Sequence, residues 1–173
     1  VKEVASHPTD LVEITGGEPL AQKGAFELIR LLCDLGKTVL IETSGAIDIS
    51  PCDPRAIRIL DIKTPGSGEV ERNVWSNLDQ LTKRDEVKFV LCDRADFDWM
   101  REVVLEHTLD ERCAAVILSP VFEQACGQEI AGSQGLAPRE LAEWILADSV
   151  LAVKVRMQTQ LHKQIWDPLT RGV

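Results

Sequence analysis

The chain has 173 residues, 45% of them hydrophobic and 27% charged, which is the size and balance of one globular domain and excludes a disordered, collagen-like or low-complexity protein. Its 28 acidic against 19 basic side chains give a formal net charge of -9, the wrong sign for a protein that holds nucleic acid or an anionic membrane by bulk charge. Any anionic ligand has to be met by local donors.

In chain order, Val1 to Ala5 reads as the end of an element already under way. Leu11 to Thr15 is a first strand, broken by Gly16-Gly17. From about Gln22 to Asp34 the apolar Phe26, Leu28, Ile29, Leu31, Leu32 and Leu35 form a helical stripe, with Gly36 as its C-cap. Strands follow at Thr38 to Thr43, Ile57 to Ile62, Val87 to Leu91 and Ala115 to Leu118, and a last one near Ala152 to Met157. Helices fit between them at about Asn73 to Lys83, Phe97 to His107 and Pro138 to Leu146, the last with proline in its first turn. Short β-branched runs alternating with helical segments predict an α/β protein with a mainly parallel sheet in a single domain. The stretch from Ser119 to Ala137, rich in Gly, Gln, Ser and Ala, is the candidate for a functional loop.

The five cysteines, Cys33, Cys52, Cys92, Cys113 and Cys126, show no metal or redox spacing, so a disulfide framework is not expected and a reducing compartment fits. No signal peptide opens the chain and no run is apolar enough to span a membrane, which predicts a cytoplasmic protein. The three histidines, His7, His107 and His162, are too scattered for a metal site. His107 ends a helix, where complementing the dipole is the plain reading. His162 lies in a tail that Trp166 and Pro168 predict to dock onto the fold.

Ligands in parallel α/β folds sit at the carboxyl ends of the strands. Those ends carry Thr15-Gly16-Gly17-Glu18-Pro19, Glu42-Thr43-Ser44-Gly45, Asp61-Ile62-Lys63-Thr64-Pro65-Gly66 and Ser119-Pro120. Two glycines expose backbone N–H groups and Glu18 adds a fixed anion, a combination suited to an amino-acid zwitterion, although a tight turn before a helix would read the same way. Glu42 could accept from both hydroxyls of a ribose, or be a solvated loop acid. Asp61 and Lys63, two apart, share one face of the extended chain and form either a polar wall or a surface ion pair.

The ordered set Val12 to Leu20, Ile41 to Gly45, Asp61 to Glu69, Lys88-Phe89-Val90 and Gln160-Leu161-His162 resembles the radical S-adenosylmethionine (radical SAM) superfamily and, within it, the 7-carboxy-7-deazaguanine synthases. The resemblance runs nearly the whole length and implies a partial parallel (β/α) barrel of the radical SAM type. It also implies a lyase that turns 6-carboxy-5,6,7,8-tetrahydropterin into 7-carboxy-7-deazaguanine with loss of ammonia, on the route to queuosine. The cofactors that come with it are a [4Fe-4S] cluster, SAM and Mg2+, and the partners are an electron donor such as flavodoxin and a second copy in a homodimer. By the same likeness Gly16, Gly17 and Glu18 would hold the methionine end of SAM, and Glu42 and Ser44 its ribose. Asp61, Lys63, Ser119 and Pro120 would line the same cofactor, while Thr15, His162 and the carboxylate of Val173 would meet the substrate. Ser119 departs from a glutamine that some members carry.

The family's cluster cysteines and its Mg2+ ligand precede the Gly-Gly-Glu-Pro strand, whereas only ten residues precede that strand here and none is cysteine. The expectation is a missing N-terminal segment of roughly 40 residues, a βα unit with the first strand and the cluster loop. Two rivals stand beside this reading: another small radical SAM enzyme, such as an activase of a glycyl-radical enzyme, and a non-catalytic half-barrel that binds a nucleotide or a partner.

Overall fold

A computed structural model of the chain describes residues 1–122 and 135–166. Six strands, β1 (Leu11–Ile14), β2 (Thr38–Thr43), β3 (Ile57–Ile62), β4 (Glu86–Leu91), β5 (Ala115–Pro120) and β6 (Val155–Met157), form one all-parallel sheet in chain order. Helices α1 (Lys2–Ala5), α2 (Ala25–Asp34), α3 (Arg94–Glu106), α4 (Leu109–Arg112), α5 (Pro138–Ala147) and α6 (His162–Ile165) lie outside or between the strands. Sequential order without a reversal, combined with right-handed crossovers, puts the connecting helices on one face and leaves the other concave. β1 and β6 are edges among the described residues, so the sheet is an open part of a (β/α) barrel, as the sequence leads one to expect.

Side-chain alternation sorts the two faces. On β2 and β4 the buried residues are Val39, Ile41 and Thr43, and Val87, Phe89 and Leu91, and these point toward the helices. α2 covers one half of that face through Ile29, Leu32 and Cys33, packed with Val39, Ile41 and Ile49. α3 and α5 cover the other half through Phe97, Met100, Val104, Leu141 and Ile145 against Phe89, Leu91 and Leu118. Each fully buried side chain of this size stabilises the fold by about 1.5–3 kcal/mol. The alternate residues, Glu13, Leu40, Glu42, Ile59, Glu86, Ile117 and Arg156, line a concavity of about 330 Å³.

Strands β2 and β3 coincide with the predicted ones, and the other limits shift for local reasons. Gly24, at φ 88, delays α2 until Ala25, after a 3₁₀ turn at Pro19–Ala21. Asp93 caps α3 by accepting from Asp96 N–H at 2.9 Å, which moves that helix start back to Arg94. The last strand is shorter than predicted because Leu151–Val153 winds into a 3₁₀ turn.

The helix expected over Asn73 to Lys83 is absent. In its place are 3₁₀ turns at Val70–Arg72 and Trp75–Gln80. Its polar side chains are committed elsewhere. Asn73 pairs reciprocally with the backbone of Lys63, donating to its carbonyl at 2.8 Å and accepting its N–H at 2.9 Å. The buried Asn77 donates to the Gly45 and Ile47 carbonyls and accepts from Ile49 N–H. Those tertiary bonds favour short turns over a continuous α-helix.

Cys33, Cys52 and Cys113 are free and buried. Burial raises all three thiols, Cys52 to about 11, so they behave as small core hydrophobes. Iodoacetamide at pH 8 is expected to leave Cys52 and Cys113 unlabelled in the native protein and to label both after denaturation, as read by peptide mass mapping. Fast native labelling of Cys52 would contradict this packing. Cys126, and positions 123–134 of the predicted functional loop, lie outside the described residues.

Candidate functional site

The carboxyl ends of β1, β2 and β3, three of the four predicted to cluster, converge, joined by Lys88 of β4. Thr15, Gly16, Gly17, Glu42, Thr43, Ser44, Asp61, Lys63 and Lys88 line one cavity of about 150 Å³. A neighbouring cavity of about 330 Å³ shares Asp61 and Lys63 and adds Ile62, Thr64, Gly66, Ser67, Val90, Cys92, Val121 and Gln160.

Gly16 and Gly17 have φ of 98 and 58, and a Cβ at either would meet nothing within 4 Å. Backbone conformation demands glycine there, and the empty space shows that the turn opens directly onto the cavity. Glu18 secures the turn. Its Oε1 accepts from Leu20 N–H at 3.0 Å, its Oε2 accepts from Ser44 N–H at 2.8 Å, and the hydroxyls of Thr43 and Ser44 donate to it as well. Its carboxylate is therefore largely engaged by the protein, tying the glycine turn to the end of β2.

Glu42 accepts from Thr15 Oγ1 at 3.1 Å and from Lys88 Nζ at 3.0 Å. Lys88 belongs to the site although the sequence reading assigned it no role. The available signal was its parity on β4, where it falls on the non-helical face with Asp61 opposite it in register. Burial raises the carboxyl pKa of Glu13, on the same face, and repulsion from Glu42 adds to the rise while Lys88 opposes it.

Asp61 and Lys63 do share one side, with Lys63 Nζ 2.6 Å from Asp61 Oδ2. The other carboxylate oxygen, Oδ1, is buried without a hydrogen-bond partner, and so is Gln160 Oε1. Buried acceptors left unpaired are costly, and both lie on residues lining the larger cavity, so that cavity suits a ligand that brings hydrogen-bond donors. Gln160 was also missed as a lining residue. Only the fold carries the chain past β6 back to the strand ends.

Ser119 and Pro120 separate from this group. Ser119 is 1% exposed and lines none of these cavities, whereas Pro120 lines an adjoining apolar one with Val121, Phe122, Leu136 and Pro138. His162 begins α6, and Val173 lies outside the described residues. His107 ends α3, as expected, and stacks on Trp75 with 5.6 Å between ring centroids. No helix among the described residues is long and apolar enough to cross a membrane.

No family model matches the chain. It is 42% identical over 165 residues to the 7-carboxy-7-deazaguanine synthase of Chlorobaculum tepidum, an alignment covering 94% of this chain and 68% of the relative. It is 42% identical over 168 residues to that of Koribacter versatilis, covering 96% and 73%. To the synthase of Methanospirillum hungatei it is 35% identical over 159 residues, covering 90% and 58%.

Proposed function

The chain belongs to the 7-carboxy-7-deazaguanine synthase family, and from that premise we propose that it works as a radical SAM carbon–nitrogen lyase. Its reaction converts 6-carboxy-5,6,7,8-tetrahydropterin to 7-carboxy-7-deazaguanine with release of ammonia in queuosine and deazapurine biosynthesis. The observation that carries the reading is the convergence of the Gly-Gly turn, Glu42, Asp61 and Lys63 on one mouth of a parallel half-barrel.

The residues present fit SAM. Gly16 and Gly17 offer backbone to its amino-acid end, with Glu18 acting through the turn it anchors. Glu42, oriented by Lys88 and Thr15, is placed to accept from ribose hydroxyls beside Ser44. The unpaired Asp61 Oδ1 awaits a donor, and Lys63 Nζ, 2.6 Å from Oδ2, fixes the carboxylate in place. In this reading Thr15, on the cavity of the glycine turn, borders the substrate and Pro120, on the adjoining apolar cavity, borders the cofactor, while the buried Ser119 takes no role. Bound SAM supplies the radical chemistry, and the chain's part is to orient it and keep water away.

The [4Fe-4S] cluster and Mg2+ are a different case. Among the described residues no group of three His, Cys, Asp or Glu side chains could hold a metal ion, so neither is assigned to a described residue. A flavodoxin-type donor and a homodimer accompany the family reading.

The complete gene product, reconstituted anaerobically with iron and sulfide, is expected to yield 7-carboxy-7-deazaguanine and ammonia when given SAM, Mg2+, a reductant and the carboxypterin. A loaded cluster that cleaves SAM without turning over the pterin would reject the synthase and favour a different radical SAM activity.

A further inference from the structure

Asp96 is an acid that the site described above does not use, and it is 1% exposed within α3. Its Oδ1 accepts from Gly66 N–H at 2.8 Å, and its Oδ2 accepts from Thr64 Oγ1 at 2.8 Å and from Cys92 N–H at 3.0 Å. Contact with the turn is direct, since a Cβ on Gly66 would stand 2.6 Å from Oδ2. Burying a carboxylate is costly, and three convergent donors are the arrangement that offsets the cost.

These donors come from two different strand ends. Thr64 and Gly66 follow β3, Cys92 follows β4, and all three residues line the larger cavity beside Asp61 and Lys63. One buried carboxylate thus sets the spacing of the two segments that form that wall. Asn73 holds the same β3 turn from its other side, at Lys63.

We infer that Asp96 is a positioning residue for SAM, fixing the turn after β3 against the end of β4 so that Asp61 and Lys63 meet the cofactor in register. The inference rests on the radical SAM reading. Asparagine is a sharp probe, because Gly66 N–H and Cys92 N–H are fixed donors on opposite oxygens. Whichever way the amide turns, its NH2 confronts one of them.

The test uses the complete gene product with its cluster reconstituted, equilibrium dialysis against SAM, and steady-state kinetics with each substrate varied. Asp96→Asn is expected to raise the Kd and KM for SAM about 10-fold, the order of one or two lost hydrogen bonds, while KM for the carboxypterin stays within about twofold. An unchanged Kd for SAM would overturn the inference. So would a loss of affinity for both substrates in proportion to the fall in Tm, which is what a purely structural role predicts. Should Asp96→Asn fail to fold, Gly66→Ala reaches the same contact from the turn and is read by the same comparison. Wild-type protein that binds no SAM rejects the cofactor reading itself, before any variant is compared.

Discussion

Asp85→Asn is expected to lower the unfolding free energy by about 3–5 kcal/mol, read as a shift of the urea midpoint at unchanged m-value. The Asp85 side chain is fully buried and takes five donors. Arg58 N–H at 2.8 Å and Nε at 3.0 Å reach Oδ1; Arg58 Nη2 at 2.5 Å, Thr82 N–H at 2.7 Å and Thr82 Oγ1 at 2.8 Å reach Oδ2. An asparagine would point its NH2 at a backbone N–H in either orientation and strand a guanidinium that is itself 9% exposed. Breaking one side of a buried pair is far more damaging than replacing both.

This cluster ties the starts of β3, β4 and β5, since Ala114 N–H also donates to the Asp85 carbonyl. It lies at the amino ends of the strands, away from the two cavities at their carboxyl ends, so SAM affinity should survive in the fraction that remains folded. The pH dependence has a definite sign. Burial alone would raise the Asp85 pKa, but the bonds from Arg58 and Thr82 outweigh it and hold the group below its ordinary 3.8. A depressed carboxyl contributes stability above its unfolded pKa and loses it as pH falls through the folded one. Wild-type stability should therefore decline below about pH 4, and Asp85→Asn should flatten that limb. An unchanged acid limb would place the linkage elsewhere.

Glu18→Gln is the second large effect, and it falls on binding. Leu20 N–H and Ser44 N–H are fixed donors to opposite oxygens of Glu18, so the near-isosteric amide again faces one of them with its own N–H. The cost to folding should be only about 1–2 kcal/mol, because Glu18 is half-exposed and water can replace a lost bond. The cost to the site is larger, since the Gly16-Gly17 turn is held to β2 through this carboxylate. SAM affinity is expected to fall about 100-fold, equivalent to ~2.7 kcal/mol, with Tm within a few degrees of wild type. Wild-type affinity in Glu18→Gln would show that the turn keeps its place without the anchor.

Much of this architecture was legible in one dimension. Short β-branched runs placed β2 and β3 at their observed limits, the stripe through Ile29 and Leu32 marked α2, and polar runs after the strands marked the mouth of the barrel. These signals are local. A strand shows its period within six residues and a helix within ten, so no partner is needed to read them. The ordered set Val12 to Leu20, Ile41 to Gly45, Asp61 to Glu69, Lys88-Phe89-Val90 and Gln160-Leu161-His162 likewise suggested the family.

Only the tertiary structure decided how the carboxylates divide their work. Glu18 and Glu42 are both acids near strand ends, yet one is consumed by the backbone of the next strand and the other stands between Thr15 and Lys88. Apart from Leu20 N–H, two residues from Glu18, their partners are 25 to 46 positions away in sequence. Asp85 and Asp96 sit in unremarkable charged stretches, and their donors lie 27 to 32 residues upstream, apart from nearby Thr82 and Cys92. The segment Asn73 to Gln80 had helical spacing but gave its side chains to the loops at Lys63, Gly45 and Ile47. Periodicity is a property of the chain alone. Hydrogen-bond partnership between parallel strands depends on register, which exists only once the sheet has formed.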